Sequence, residues 1–339
     1  MYLCLVVRQH KHYILSFAFL AFLFCSPGLA QEESRKIGLL LRDSNCTGEM
    51  KVAAAVIKAA NAKLSENEPK FELVIRTVEG PWGAGSKESV SLVYEDSVLL
   101  YLGALDGGNA HLAEQVAAKA HMAYIETRAT EPTLTQAYVP WFVRVVPNDN
   151  QQAEILAKAI SEAGGGDALI LSRDNTDNRY AVQSLVKAGA KAGNVSPVIL
   201  EWKRDGKDYN DMFGEISQME PVHLMLTFWS EDVFRLSRDL WKLHPEIKLY
   251  ANLDFMSGLQ QYPGPVHIPG SMTTTTTNGY LDYLSDGLKL AVEAICTCGK
   301  DSNKTIDRDI LKNCIPGMKL TEAKTGPISF DELGNRITH

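Results

Sequence analysis

The sequence predicts an α/β protein made of two doubly wound parallel-sheet lobes joined by a hinge. Three observations predict it. Short continuous apolar runs alternate with helical patterns, as expected of parallel strands covered on both faces. The runs fall into two series alike in length and order. Between them, residues 129–149 hold Pro132, Pro140 and Pro147 and no long helical pattern. A single barrel of eight units would need even spacing and no break.

Composition is consistent with this. The chain has 339 residues, 45% hydrophobic and 22% charged, with 34 Lys+Arg against 41 Asp+Glu. Those are globular values, and the length suggests two domains. A net charge of −7 without a basic stripe gives nucleic-acid binding no electrostatic support. Residues 1–30 are expected to be a signal peptide. Arg8 and Lys11 stand without a carboxylate, and the apolar run 14–24 is too short to span a bilayer comfortably. The exit Gly28-Leu29-Ala30 then suits cleavage after Ala30. Phe24 argues against a lipid anchor at Cys25. Export to the periplasm is therefore expected.

In the first series, strands are expected at 37–41, 71–78, 98–102 and 123–125. Ala53, Val56, Ile57, Ala60 and Leu64 recur at helical spacing, as do Leu112, Val116 and Ala120. The second series has runs at 168–171, 198–200, 222–226 and 247–250, with helices near 151–163, 179–192, 209–219 and 231–243. A late helix, 281–295, precedes a helical piece near 306–313 and the segment 326–330. This tail is expected to dock back on the first lobe, so that the chain passes twice between lobes. The run of threonines from Thr273 to Thr277 suits a linker. The expected boundaries are lobe 1 at 31–148 plus 280–339, and lobe 2 at 149–279.

Four cysteines remain after the signal segment: Cys46, Cys296, Cys298 and Cys314. An even number in an exported chain suggests disulfides. A Cys-x-Cys pair closes awkwardly on itself, so Cys314 is the natural partner for Cys296 or Cys298. A four-cysteine zinc site would normally carry paired Cys-x2-Cys halves, which are missing. Dinucleotide, phosphate-loop, nucleophile-elbow and zinc-protease motifs are absent from the sequence. No catalytic residue, metal or cofactor is expected, and the chain is read as a non-enzyme. His223, inside an apolar strand, reads as a satisfied core residue.

Ligands of open α/β sheets bind beyond the carboxyl ends of the strands, so the loops there carry the candidates. After the third strand come Gly107, Gly108 and Asn109, leading into a helix whose free N–H groups suit an anion; a plain tight turn capped by Asn109 is the alternative. After the fourth come Ala129 and Thr130, able to hold a carboxylate, or Thr130 caps a helix begun by Pro132. In the second series Phe228 and Trp229 can stack on a ligand or close the core. Asp254 suits an ammonium group or caps a turn, and Asp177 lies at similar depth.

Four stretches carry a family resemblance: 98–103; Ala129-Thr130-x-Pro132-x-Leu134-Thr135; Phe142-Val-Arg144 with Pro147-x-Asp149; and Gly326-Pro-Ile-Ser-Phe330-Asp331-x-x-Gly334. In this order and spacing the chain resembles the type I periplasmic solute-binding proteins, in the Leu/Ile/Val-binding branch of ABC transporter receptors. The resemblance covers nearly all of 35–336. It implies two lobes closing on a solute, delivery to an ABC permease of the inner membrane, and a monomer. It also implies that Ala129 and Thr130 hold an α-carboxylate, Asp254 an ammonium, and Trp229 the ligand body. Three departures point to a more polar pocket. Gly107 replaces a serine, Asp177 replaces an aromatic, and Asn45 stands where a tryptophan can cover the first lobe. The relatives continue past the position of His339, so two hinge strands are expected. Ligand sensing without transport is the alternative function. A receptor ectodomain shares the fold, and the tripeptides starting at Asn45, Asn194 and Asn303 match glycosylation acceptors.

Overall fold

A computed structural model describes residues 34–80, 83–193, 197–202, 209–257, 266–267, 279–298 and 306–338. The expected signal segment, the threonine run and the acceptors at Asn194 and Asn303 lie outside the described residues.

The first sheet contains β1 (Arg35–Leu41), β2 (Phe71–Thr77), β3 (Leu100–Ala104), β4 (Tyr124–Glu126) and β5 (Phe142–Arg144), in the order β2-β1-β3-β4-β5. The second contains β6 (Ala168–Arg173), β7 (Val198–Trp202), β8 (His223–Leu226), β9 (Lys248–Ala251) and β10 (Val266–His267), in the order β10-β9-β8-β6-β7. Every strand pair within these sheets is parallel. Residues 37–41 are all buried on β1, as are all of β3, because helices cover both faces.

On the first lobe the helices are α1 (Thr47–Asn61), α2 (Ala84–Val90, running into a π turn at Ser91–Glu95) and α3 (Gly107–Ala120). The second lobe carries α4 (Asp149–Glu162), α5 (Thr176–Lys191), α6 (Tyr209–Met219), α7 (Glu231–Leu243) and the single turn α8 (Leu253–Met256). Then α9 (Tyr280–Thr297) and α10 (Arg308–Cys314) return to the first lobe. Tyr283, Leu288 and Ala291 of α9 share a core with Leu39, Leu102 and Ile125, and Leu311, Ile315 and Ile328 of the tail join it.

The Cys298–Cys314 disulfide closes a loop of 16 residues between α9 and α10. Of the two expected partners for Cys314, the buried Cys298 takes the bond. His223 is fully buried and satisfied, with Nδ1 at 2.9 Å from the Tyr250 hydroxyl and Nε2 at 3.0 Å from the Gly165 carbonyl.

Two elements differ from expectation. β5, which no apolar run marked, spans only three residues; it pairs with β4, and a tail residue extends its open edge, the Arg144 amide donating to the Gly334 carbonyl at 2.8 Å. The third strand begins two residues later than the apolar run, at Leu100, because the Val98 amide is taken by the Leu92 carbonyl as the π turn closes.

The passage from β5 to α4 is firmly built. Asn148 and Gln151 form a capping box at the start of α4. Arg144 is fully buried and donates to the Glu131 carbonyl and to Asn335 Oδ1, both at 2.6 Å. Asn335 Oδ1 also accepts from Asn148 and from Thr135, each at 3.2 Å. Buried Arg336 donates to the carbonyls of Val145, Thr325, Gly326 and Pro327. The landmark 326–336 is therefore a clasp on the chain's crossing between lobes.

Candidate functional site: a polar cavity between the lobes

The carboxyl ends of both sheets face one cavity of about 80 Å³. That is about five to eight times the space one water molecule needs, enough for a compact solute. Ala129, Thr130, Asp177 and Asp254 line it, as the sequence suggested. Arg42, Arg128, Arg173, Asp149 and Tyr280 line it as well, and none of these was singled out for a role. Arg42 and Arg173 sit at the ends of β1 and β6, so the strand-end rule applied to every strand would have found them. Asp149 belonged to a landmark whose function the sequence did not suggest.

Several expected roles need correction. Asn109 does not cap α3. Asp106 does, accepting from the Asn109 amide at 3.0 Å and from its side-chain amide at 2.8 Å. Nor is the Gly107 amide open to a ligand: Asp177 of the opposite lobe accepts from it at 3.3 and 3.4 Å. Gly108 and Asn109 line a neighbouring groove of about 270 Å³ instead of the cleft cavity. Trp229 packs against Phe234 and Phe255 and belongs to the second-lobe core, so it does not wall the cavity. The aromatic lining the cavity is Tyr280, and Phe228 lies one layer back, its ring 5.2 Å from the Arg173 guanidinium carbon.

The amide cluster before Ala129 is also occupied. Oε1 of fully buried Glu126 accepts from the Thr127, Arg128 and Ala129 amides at 3.0, 2.8 and 2.9 Å. Asp254 lies between two cations, Arg173 at 3.1 Å and Arg128 at 3.7 Å. Arg128 in turn stacks over the Tyr280 ring at 4.1 Å. Thus the two amide groups and the carboxylate expected to hold a ligand are already engaged by the protein itself.

Other polar atoms are left over. Arg42 Nε, Arg173 Nε and Asp149 Oδ2 are buried without a hydrogen-bond partner, and all three residues line this cavity. Buried polar groups are ordinarily paired, so three such atoms around one cavity mark where a polar solute would complete the structure. Burial pushes the Asp149 carboxyl up to about 8, against a hydrogen bond from Thr130 and the charge of Arg144. Burial and the neighbouring Asp106 push Asp177 up to about 6.

The arrangement matches a known family. The family model described as "Receptor family ligand binding region" matches residues 34–234. The chain belongs to this family. Its fold is that of the type I periplasmic binding proteins. The substrate-binding protein LivJ of a Streptococcus pneumoniae branched-chain amino acid transporter, solved with isoleucine, superposes with a TM-score of 0.71 over 90% of this chain and 94% of its own, at 16% identity. The leucine-binding protein LivK of Thermotoga maritima gives 0.69 over 89% and 93%, at 15% identity. An ABC transporter solute-binding protein of R. palustris, solved with benzoate, gives 0.71 over 90% and 91%, at 12% identity. These likenesses establish the fold. Among curated proteins, Glutamate receptor 3.7 of Arabidopsis thaliana is 27% identical over 132 residues, 39% of this chain. The match spans only 14% of that receptor. These family members and neighbours are binding or receptor proteins.

Among the described residues, no group of three or more His, Cys, Asp or Glu is arranged to hold a metal ion. No described helix is long and apolar enough to cross a membrane.

Proposed function

We propose that the chain is an extracytoplasmic receptor that closes its two lobes on a small zwitterionic solute of the amino-acid class. The single observation carrying this reading is the set of unpartnered buried atoms around the cleft cavity: donors at Arg42 and Arg173, and an acceptor at Asp149. A carboxylate on the ligand suits the two guanidinium edges, and an ammonium group suits Asp149 Oδ2. This moves the ammonium from Asp254, which neutralises Arg128 and Arg173. Ala129 and Thr130 then act as walls, Thr130 keeping Asp149 oriented. Gly107, Gly108 and Asn109 serve closure instead of direct ligand contact. We take the hinge to lie near 148/149 and 279/280, with lobes of 31–148 plus 280–339 and 149–279.

On this reading the mature chain starts after Ala30 in the periplasm and works as a monomer that hands its solute to an inner-membrane ABC permease. A second reading, ligand sensing without transport, is favoured by the match to a plant glutamate receptor. Mass spectrometry of solute released by denaturing the purified protein tests the first claim. Recovery of a compound bearing both an amine and an acid supports it; a purely apolar or purely anionic compound overturns it. Solute uptake by cells with and without the gene separates transport from sensing.

A further inference from the structure

The end of the cleft nearest α3 has an unusual charge arrangement. Asp106 on the first lobe and Asp177 on the second both line the cavity and face each other across the interface. Glu131 lies just behind them. It is paired with His111 at 3.1 Å and hydrogen-bonded by Thr133, so its charge is largely answered within its own lobe. Glycine at position 107 leaves room for this approach: an added Cβ would meet the Glu131 carboxylate and lie 2.9 Å from Asp177 Oδ1, so one of these side chains would have to shift. An anionic ligand group at this end would be repelled by several carboxylates. A cationic group would be held between the lobes, with Asp106 and Asp177 on either side.

Three arginines and four aspartates line the cavity. Asp149 keeps its proton in the ligand-free protein; once a ligand ammonium draws that proton off, one carboxylate stands in excess. Asp254 is shared by Arg128 and Arg173. Asp149 is 4% exposed and keeps Oδ2 unpartnered toward the cavity. A neutral zwitterion leaves the excess carboxylate unanswered, whereas a solute with one acid and two amines answers it. Asp106 also lines the neighbouring 270 Å³ groove, whose walls include Val78, Ala84 and Leu112, so apolar surface is available beside the acidic end for a methylene chain.

We propose that the cleft selects a basic amino acid. Its carboxylate faces Arg42 and Arg173, its α-ammonium meets Asp149, and its side-chain cation bridges Asp106 and Asp177 of opposite lobes. Asp177 is then the specificity-determining residue. It also contributes to closure, because the cation can reach both carboxylates only when the lobes are together. This inference rests on the amino-acid reading of the cleft.

Calorimetry of the full chain with L-lysine, L-norleucine and L-glutamate tests it, since norleucine is lysine without the terminal amine. Lysine is expected to bind at least tenfold more tightly than norleucine. Asp177→Asn should cut that ratio to about threefold or less, the ratio cancelling any change in closure that both ligands share. Norleucine or glutamate binding as tightly as lysine overturns the basic class alone, as does an undiminished ratio in Asp177→Asn. Binding of none of the three probes overturns the amino-acid reading on which the class depends. A measurement on wild type stands beside the variant: at pH 6, in buffers of different ionisation heat, lysine should release more protons than norleucine. Equal release overturns the bridge at Asp177.

Discussion

Asp149 opens α4, lies at the passage between lobes and keeps one oxygen unpartnered in the cleft. Its carboxyl is pushed up to about 8, chiefly by burial. The unfolded chain releases this proton near pH 4, while the folded chain keeps it until about pH 8. Between those values the folded state binds more protons, so this group's contribution to stability is present at low pH and is lost as pH rises toward 8. The limiting slope for one proton is about 1.4 kcal/mol per pH unit. Urea denaturation of the ligand-free protein from pH 5 to 8 should show falling stability, and Asp149→Asn should flatten the trend. The same substitution removes the partner of a desolvated ammonium and should weaken solute binding by about 2–5 kcal/mol in calorimetry. Asp254→Asn should cost less, since Asp254 already answers two arginines. Lys191→Ala should change neither quantity, because its pair with Glu154 is exposed on both sides. At this scale the sequence was partly legible. Position beyond a strand end located Ala129, Thr130, Asp177 and Asp254. It did not say whether an amide or a carboxylate would be taken by another protein group, because that depends on contacts such as Asp177 with Gly107, made between lobes distant in sequence.

The elements were more legible than the residues. Apolar runs marked β1, β3, β6 and β8, whose residues are buried on both faces, and α7 ran as its pattern indicated, over Glu231–Leu243. α2 escaped because its sequence, AGSKESV, offers no apolar stripe. β5 escaped because three residues carry no period; it pairs with β4, and on its other side only through a bridge from Arg144 to Asn335, almost 200 positions away. The disulfide between α9 and α10 constrains a short loop of the unfolded chain, a contribution of about 3 kcal/mol. Cys314→Ser should lower the denaturation midpoint accordingly, and non-reducing peptide mapping of wild type should recover Cys298 joined to Cys314. A map joining Cys296 to Cys314 would contradict the pairing.

For the whole molecule, the two parallel sheets meet through contacts that span the cleft: Asp177 to the Gly107 amide and Asp254 to Arg128. Both are polar, and the second is only 3.7 Å, so they hold the closed form lightly. Small-angle scattering should therefore show a smaller radius of gyration when solute is added. Gly107→Ala should resist that contraction, since its methyl would strike Glu131 and crowd Asp177. Overall architecture was the most legible level, because the repeated strand–helix order and the proline-rich break both survive without tertiary detail. The relative placement of the lobes was not legible, since no local pattern encodes it.

The clasp at Asn335 has a consequence for time rather than for affinity. One side-chain oxygen gathers Thr135, Arg144 and Asn148, and so ties the tail to the axis about which the lobes would swing. None of these partners touches the cleft cavity, so loosening them leaves the solute's contacts intact. Asn335→Ala should therefore change how long a bound solute stays: in stopped-flow release experiments its dissociation and association should quicken together, with their ratio nearly preserved. A tail that never meets the ligand would then act as the damper of the molecule, setting the residence time of its cargo.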